Sequence, residues 1–318
     1  MIRRDFTNLS TIEIDALGRA FNKLWDDGLR YARDKQPEKI IEHLIRRLKI
    51  TQVVVNEDYT PYSKIRDAKI KKVCDALNIS FIQVNGYALN SPQSIPAQTQ
   101  FSKYFKIASK SVKCVAKNIT RHNMQKMPLT VKRAIIPYAD ETKMLDGIKN
   151  DEPKTPDILD INNPMTTTHL KFGTISPYEI WVATKNKPKY QLLHKKLFWR
   201  DFYLQLGHYF PHMYDKILFD KYQSLIWKPP IYLNRWQDGL TGFPIIDASM
   251  RQLKTGWLPQ FKRRLVANFL TKCMHIHWKH GEMYFATQLI DYDPSSNNGM
   301  WQSAASTGVN GKPIRIYN

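Results

Sequence analysis

Apolar residues recur at helical spacing in "PEKIIEHLIRRL", residues 37–48, where Ile40, Ile41, Leu44, Ile45 and Leu48 share one side. The β-branched run "TQVVVN" reads as a buried strand. "SKIRDAKIKKVCDALNI" returns to a helix, with Ile65, Ala68, Ile70, Val73, Cys74 and Leu77 near one side, and "SFIQVNG" supplies a second strand. The order helix, strand, helix, strand predicts a right-handed parallel α/β layer. Two strands make a thin sheet, and a parallel sheet wants both faces covered, so the layer reads as incomplete.

From about 100 to 165 the pattern decays into the basic stretch "SKYFKIASKSVKCVAKNITRHNMQKM" and the polar, proline-bearing "DEPKTPDILDINNP", read as a surface connector. Helical signals dominate from about 174. "SPYEIWVATK" opens as a capping box, with Ser176 as N-cap, Pro177 next and Glu179 at the third position. "YQLLHKKLFWRDFYLQLGHYF" predicts a long helix ended near Gly207. "DGLTGFP" is turn chemistry before the helix "IIDASMRQLKTG". In "FKRRLVANFLTKCMHIHW", Phe261, Leu265, Phe269 and Cys273 form one stripe, flanked by Val266, Leu270 and Met274. A helix apolar nearly all round should sit centrally. The division expected is a partial α/β domain over 1–105, a connector over 106–162 and a helical domain over 163–318.

The chain of 318 residues can bury a large core. No apolar run reaches transmembrane length, and the N-terminus lacks the apolar middle of a secretory signal, so an intracellular, soluble protein without membrane contact is expected. The three cysteines, Cys74, Cys114 and Cys273, are scattered and odd in number, which argues against a disulfide framework. A net charge of +20 points to a polyanionic partner.

Candidate chemistry is sparse when read from spacing alone. Lys196, Trp199, Arg200 and Tyr203 fall on one helical stripe, two cations with two aromatics. Such a face can hold phosphate and stack on a base. It can also be a snorkelling face with its rings in the core, and spacing favours that second reading. Arg263, if buried, needs a carboxylate partner, and Asp291 and Asp293 at the end of the next helical segment are candidates. An exposed basic helix start explains "KRR" equally well. Trp227, Trp278 and Trp301 read as core or interface residues. His275 and His277 fall on different faces and no "HEXXH" occurs, so no metal site is expected. "GXXXXGK", "GXGXXG" and "GXSXG" are all absent.

The ordered motifs "GLTGFPIIDASMRQLKTGW", "NFLTK", "GEMYFATQLIDYD", "NNGMWQSAASTG" and "IRIYN" resemble the flavin-binding helical domain of the photolyase/cryptochrome family, nearest to class I cyclobutane-pyrimidine-dimer photolyases. "LFWRDFY" and "LKFGTISP" fit the same domain, and "NEDYTPYSKIRD" and "PEKIIEHLI" resemble part of the family's Rossmann-like antenna domain. The resemblance implies FAD as cofactor, with Arg263, Asp291, Asp293 and Asn297 around its ring and ribityl chain, Asn297 beside flavin N5. Thr166, Thr167 and Thr168 are what remains of a phosphate-binding "TSXLS" segment. It also implies an electron relay through Trp301, Trp278 and Trp227. Lys196, Trp199, Arg200 and Gln260 match positions that meet DNA or its lesion. The implied activity is light-driven repair of pyrimidine dimers in DNA, a carbon–carbon lyase reaction on a base flipped out of the stack.

Several positions depart from that pattern. Lys196 stands where the family has Glu or Gln, Pro259, Gln260 and Phe261 replace "HNR", and Ser303 replaces a second lesion-pocket tryptophan. Family segments expected at both ends are missing, which would impair activity or call for a separate polypeptide to supply them. The incomplete α/β layer leaves a second, antenna chromophore in doubt. A cryptochrome-like flavin photoreceptor and a non-catalytic DNA-binding remnant are the alternatives.

Overall fold

The computed structural model describes residues 37–112, 164–173 and 175–309. They divide into two compact units, the first ending at Asn85 and the second beginning at Gly86. Most of the expected connector, Cys114, and the terminal segments, including "IRIYN", lie outside the described residues.

In the first unit, α1 (Pro37–Leu48), β1 (Gln52–Asn56), α2 (Pro61–Ala76) and β2 (Ser80–Val84) follow in the expected order. The two strands pair in parallel, with Gln52 opposite Ser80 and Asn56 opposite Val84. Thr60 caps α2 by accepting the Ser63 N–H at 3.2 Å, with Pro61 placed where no N–H is required. The inner side of α2 matches the sequence expectation at Ile70, Val73, Cys74 and Leu77, but not in its first two turns. Ser63, Asp67, Ile70 and Cys74 are buried, whereas Ile65 is 60% exposed and Ala68 faces solvent. Polar residues can take that face because they are bonded there: Ser63 Oγ donates to Asp58 at 2.8 Å and Arg66 Nε to Asp67 at 2.7 Å. Ile45, Val53, Ile70 and Cys74 make the small core.

The second unit is helical. Its helices are α3 (Phe101–Ser111), α4 (Pro164–Phe172), α5 (Pro177–Thr184), α6 (Gln191–Tyr209), α7 (Leu233–Asp238), α8 (Pro244–Leu253), α9 (Gln260–Asn268), α10 (Trp278–Gln288) and α11 (Pro294–Ala304). Helix α3, which the sequence pattern divides between the first domain and the connector, packs here through Tyr104 and Ala108. The capping box of α5 forms as expected: Ser176 Oγ accepts the Glu179 N–H at 3.1 Å, and the Glu179 carboxylate accepts the Ser176 N–H at 2.8 Å. Helix α6 ends at Tyr209, near Gly207 as expected. Gly207 serves close approach, since a Cβ there would lie 2.0 Å from the Tyr214 hydroxyl. At the "DG" turn, Gly239 closes α7 at φ 67°, and Asp247 braces the next residues by accepting from Thr241 N–H and Gly242 N–H at 2.8 and 3.0 Å.

The expected stripe Phe261–Leu265–Phe269–Cys273 is not the buried one. Phe261 is 62% exposed and Cys273 is exposed, while Val266, Ala267, Leu270 and Thr271 point inward. Past Asn268 the chain widens into a π-helical turn, Phe269–Cys273, so a constant α-helical projection loses phase there. Two cores result. One gathers α3, α5 and α6 around Phe198 and Phe202; the other joins α7 to α11 around Trp236, Trp278 and Trp301.

Candidate cofactor site

The composition of "DYDPSSNNGMW" is that of a helix start. Helix α10 ends at Gln288 with Leu289 extended. Asp293 then caps α11, its carboxylate accepting the Ser296 N–H at 2.8 Å, and Pro294 fills the first helical position. The aspartates thus open a helix, where the sequence reading had them close one. Helix α11 is packed against α6, α9 and α10.

Arg263 reaches in from α9. Its Nη2 lies 3.0 and 2.9 Å from the two Asp291 oxygens, and its Nε donates to Leu258 O at 2.6 Å. The Asp291 side chain is 2% exposed and that of Arg263 14%, so the choice between a basic surface and an enclosed pair resolves to the pair. In such surroundings neither charge is tolerable alone.

Two residues further, Asp293 receives the Tyr87 hydroxyl at 2.6 Å. The Arg200 guanidinium lies over the Tyr87 ring, 3.8 Å from its centre, and Nη1 donates to the Tyr87 carbonyl. Burial pushes the Asp293 carboxyl up, but Arg200, Lys171 and the bonds from Tyr87 and Ser296 together hold it below the usual carboxylate range. Burial and the Asp293 charge push the Tyr87 phenol far up. Arg200 Nη2 is enclosed and bonds to no protein atom.

Asn297 is buried with its amide nitrogen directed at Glu282, 3.1 Å from both the backbone oxygen and Oε1. Its amide oxygen is therefore the atom offered to an incoming donor. Glu282 is a hub: it also accepts from Asn298 Nδ2 at 3.1 Å and Tyr292 OH at 3.2 Å, and pairs with Lys279 at 3.1 Å.

Trp301 packs edge-on against Phe285 and Trp236, with ring centres 5.0 and 6.0 Å away. It rests on Gly281, where a Cβ would lie 2.1 Å from the indole, on the turn of α10 that Trp278 begins. Trp278 is fully buried and its Nε1 has no partner. Trp227 is half-buried beside His277.

The stripe on α6 serves mixed ends. Tyr203 is buried against Gly299, as the core reading required. Trp199 is half-buried, with Phe101 stacked flat on it at 3.7 Å. Lys196 is partly exposed, and Gln260 donates to Met300 Sδ at 2.8 Å across to α11. On α4, Thr166 and Thr168 are buried and Thr167 is exposed.

Sequence reasoning missed Tyr87 and Glu282. Tyr87 sits in the irregular "NGYALN", where no periodicity marks it. Glu282 carried a signal, because it shares the buried face of α10 with Trp278 and Phe285 at helical spacing. A carboxylate on such a face needs partners.

Sequence profiles of one family match both units, the profile described as DNA photolyase over residues 26–128 and that of the FAD binding domain of DNA photolyase over 192–318. The deoxyribodipyrimidine photo-lyase of Buchnera aphidicola is 32% identical over 314 residues, covering 85% of this chain and 65% of that protein. The Escherichia coli protein of the same name is 46% identical over 127 residues, 39% of this chain and 27% of its own length. Among solved structures, an archaeal photolyase from Sulfolobus tokodaii, determined with two FAD molecules, superposes with a TM-score of 0.71 at 35% identity, covering 89% of this chain and 68% of that one. The chain belongs to the DNA photolyase family. It carries the small α/β unit and the helical flavin-type unit of photolyases, and spans about two thirds of the length of the Buchnera relative. Among the described residues, no helix is long and apolar enough to cross a membrane.

Proposed function

We propose that the helical unit binds FAD beside Arg263, Asp291, Asp293 and Asn297, and that the protein uses it to repair cyclobutane pyrimidine dimers in DNA by light. The Arg263–Asp291 pair carries the reading. It is enclosed, it stands two residues from a carboxylate held ionised, and the enclosed Arg200 Nη2 lacks a protein acceptor. A flavin nucleotide suits this donor set: acceptor atoms for Arg200 and Arg263, hydroxyls for Asp293, and a ring N–H for the Asn297 oxygen. Each Asp293 oxygen keeps a free lone pair beyond the bonds from Tyr87 and Ser296.

Bound FAD supplies light absorption and a centre that exchanges single electrons. The protein's own contribution is placement. Arg263 and Asp291 fix the wall of the site, Asn297 presents an oriented amide, and Trp301, Trp278 and Trp227 offer oxidisable indoles from the core to the half-exposed edge. The positive charge holds DNA phosphates, and the half-buried Trp199 lines the approach of a flipped base.

Lys196 and Ser303, at positions where the family's lesion contacts differ, favour a second reading as a flavin photoreceptor of cryptochrome type. The deciding experiment is illumination of the FAD-loaded protein with thymine-dimer DNA. Restored monomeric thymines support repair; intact dimers, with the flavin still photoreduced, support the photoreceptor.

A further inference from the structure

A ring that neither the family pattern nor the sequence reading used stands between two of the relay tryptophans. The imidazole of His277 lies edge-to-face with Trp227, with ring centres 5.0 Å apart at 71°, and 5.5 Å from Trp278, tilted by 30°. The backbone fixes it there. His277 is the N-cap of α10, its Nδ1 accepting the Lys279 N–H at 3.1 Å, which puts the hydrogen of the neutral ring on Nε2. Trp227 is held alongside because the next residue, Lys228, pairs with Ile276 and donates its N–H to His275 O at 2.8 Å.

We propose that His277 is the ring through which an electron passes from Trp227 to oxidised Trp278, and that the passage conducts only while this imidazole is neutral. The inference rests on the tryptophan relay proposed above. In the step, one electron leaves the Trp227 indole and restores Trp278 to its neutral form. Trp227 then releases its N–H proton to water, which it reaches as a half-exposed residue, and His277 ends as it began. Trp278 suits the middle position. Its Nε1 is buried without an acceptor, so an oxidised Trp278 cannot shed its proton and the vacancy moves on. A charged imidazolium would oppose a positive charge on either neighbouring indole in this poorly screened setting. His277 is therefore a bridging ring with a gate built in.

The surroundings keep the gate open near neutrality. Burial, foremost, holds His277 below the ordinary 6.5, and the charges of His280 and Lys279 act in the same direction. Lys228, on the segment paired with Ile276, is exposed to solvent. The Lys279 ammonium lies 5.5 Å from the centre of the Trp278 ring, where Glu282 at 3.1 Å offsets its charge and Tyr214 O accepts from it at 2.6 Å.

Two substitutions separate ring from charge. His277→Phe keeps an aromatic ring that cannot titrate; His277→Asn keeps a capping oxygen and removes the ring. In the cofactor-free protein, tryptophan fluorescence of the wild type should fall on acidification with a midpoint below 6.5, as the imidazolium quenches its neighbours, and both variants should lack that step. In the FAD-loaded protein, light-driven tryptophan oxidation should slow several-fold between about pH 8 and about pH 5 in the wild type, stay fast throughout in His277→Phe, and be slow throughout in His277→Asn. A His277→Asn protein with the wild-type rate and pH profile overturns the proposal, as does a fluorescence step that survives in both variants. Trp227→Phe tests the underlying relay: if it slows oxidation while His277→Asn does not, the relay stands and the His277 bridge falls. If it changes nothing, both fall.

Discussion

The hydroxyl of Tyr87 sits 2.6 Å from the carboxylate of Asp293, joining a residue just after the first unit's last strand to the cap of α11, 206 positions later in the chain. This bond, with Arg200 stacked on the same ring, fixes the carboxylate that the proposed flavin site depends on. Tyr87→Phe keeps the stack and removes the donor. The expected cost is about 1–3 kcal/mol of stability with weaker FAD retention, read by thermal unfolding and by the flavin remaining after dialysis. Unchanged retention would show that Asp293 is held without Tyr87.

Arg263 and Asp291 should behave as a unit. Arg263→Ala strands an enclosed carboxylate and should lose about 3–5 kcal/mol in denaturant unfolding. Adding Asp291→Asn should return part of that loss, because the uncompensated charge is gone. Two additive losses would mean that the pair is not coupled as the geometry states.

Gly281 is the contact that lets Trp301 lie on α10. A Cβ there would approach the indole to 2.1 Å, so Gly281→Ala should destabilise by about 1–3 kcal/mol and displace Trp301. A shifted tryptophan emission together with a lowered melting temperature is the expected signature. A melting curve like the wild type's would place Trp301 elsewhere.

Asp201 makes stability depend on pH. Burial pushes its carboxyl up to about 7, against Arg200 and the N–H groups of Asn90 and Leu89, from an ordinary 3.8. The folded state therefore holds this proton where the unfolded chain has lost it. The contribution is complete below the unfolded value and fades as pH rises through the folded one. The melting temperature of the wild type should fall by several degrees between about pH 5 and about pH 8, and Asp201→Asn should flatten that slope. Equal slopes in the two proteins would assign the titration to another group.

Local chemistry was legible in the sequence where one stretch of chain determined it. The Ser176–Glu179 capping box and the turn after Gly239 form from neighbouring residues. The inward face of α2 was legible at Ile70, Val73, Cys74 and Leu77 but not at its start, because Ser63 and Asp67 are made burial-tolerant by partners that periodicity does not count. The stripe through Phe261 failed because α9 already turns Val266 and Ala267 inward, and the π turn after Asn268 then shifts the helical phase for Cys273. At the site, spacing left Arg263 undecided between an exposed helix start and an enclosed charge; the geometry shows it enclosed and paired with Asp291. Tyr87 and His277 were beyond either guide, since their roles come from contacts between segments distant in the chain.

The central claim is that Arg263, Asp291, Asp293 and Asn297 frame a flavin site. Its most direct test is a titration of the cofactor-free protein with FAD, followed by quenching of flavin emission and by the yellow absorbance that stays with the protein through gel filtration. The account expects saturable, stoichiometric uptake by the wild type and its loss in Asp291→Asn. Failure of the wild type to take up FAD, or equal uptake by the variant, would contradict it.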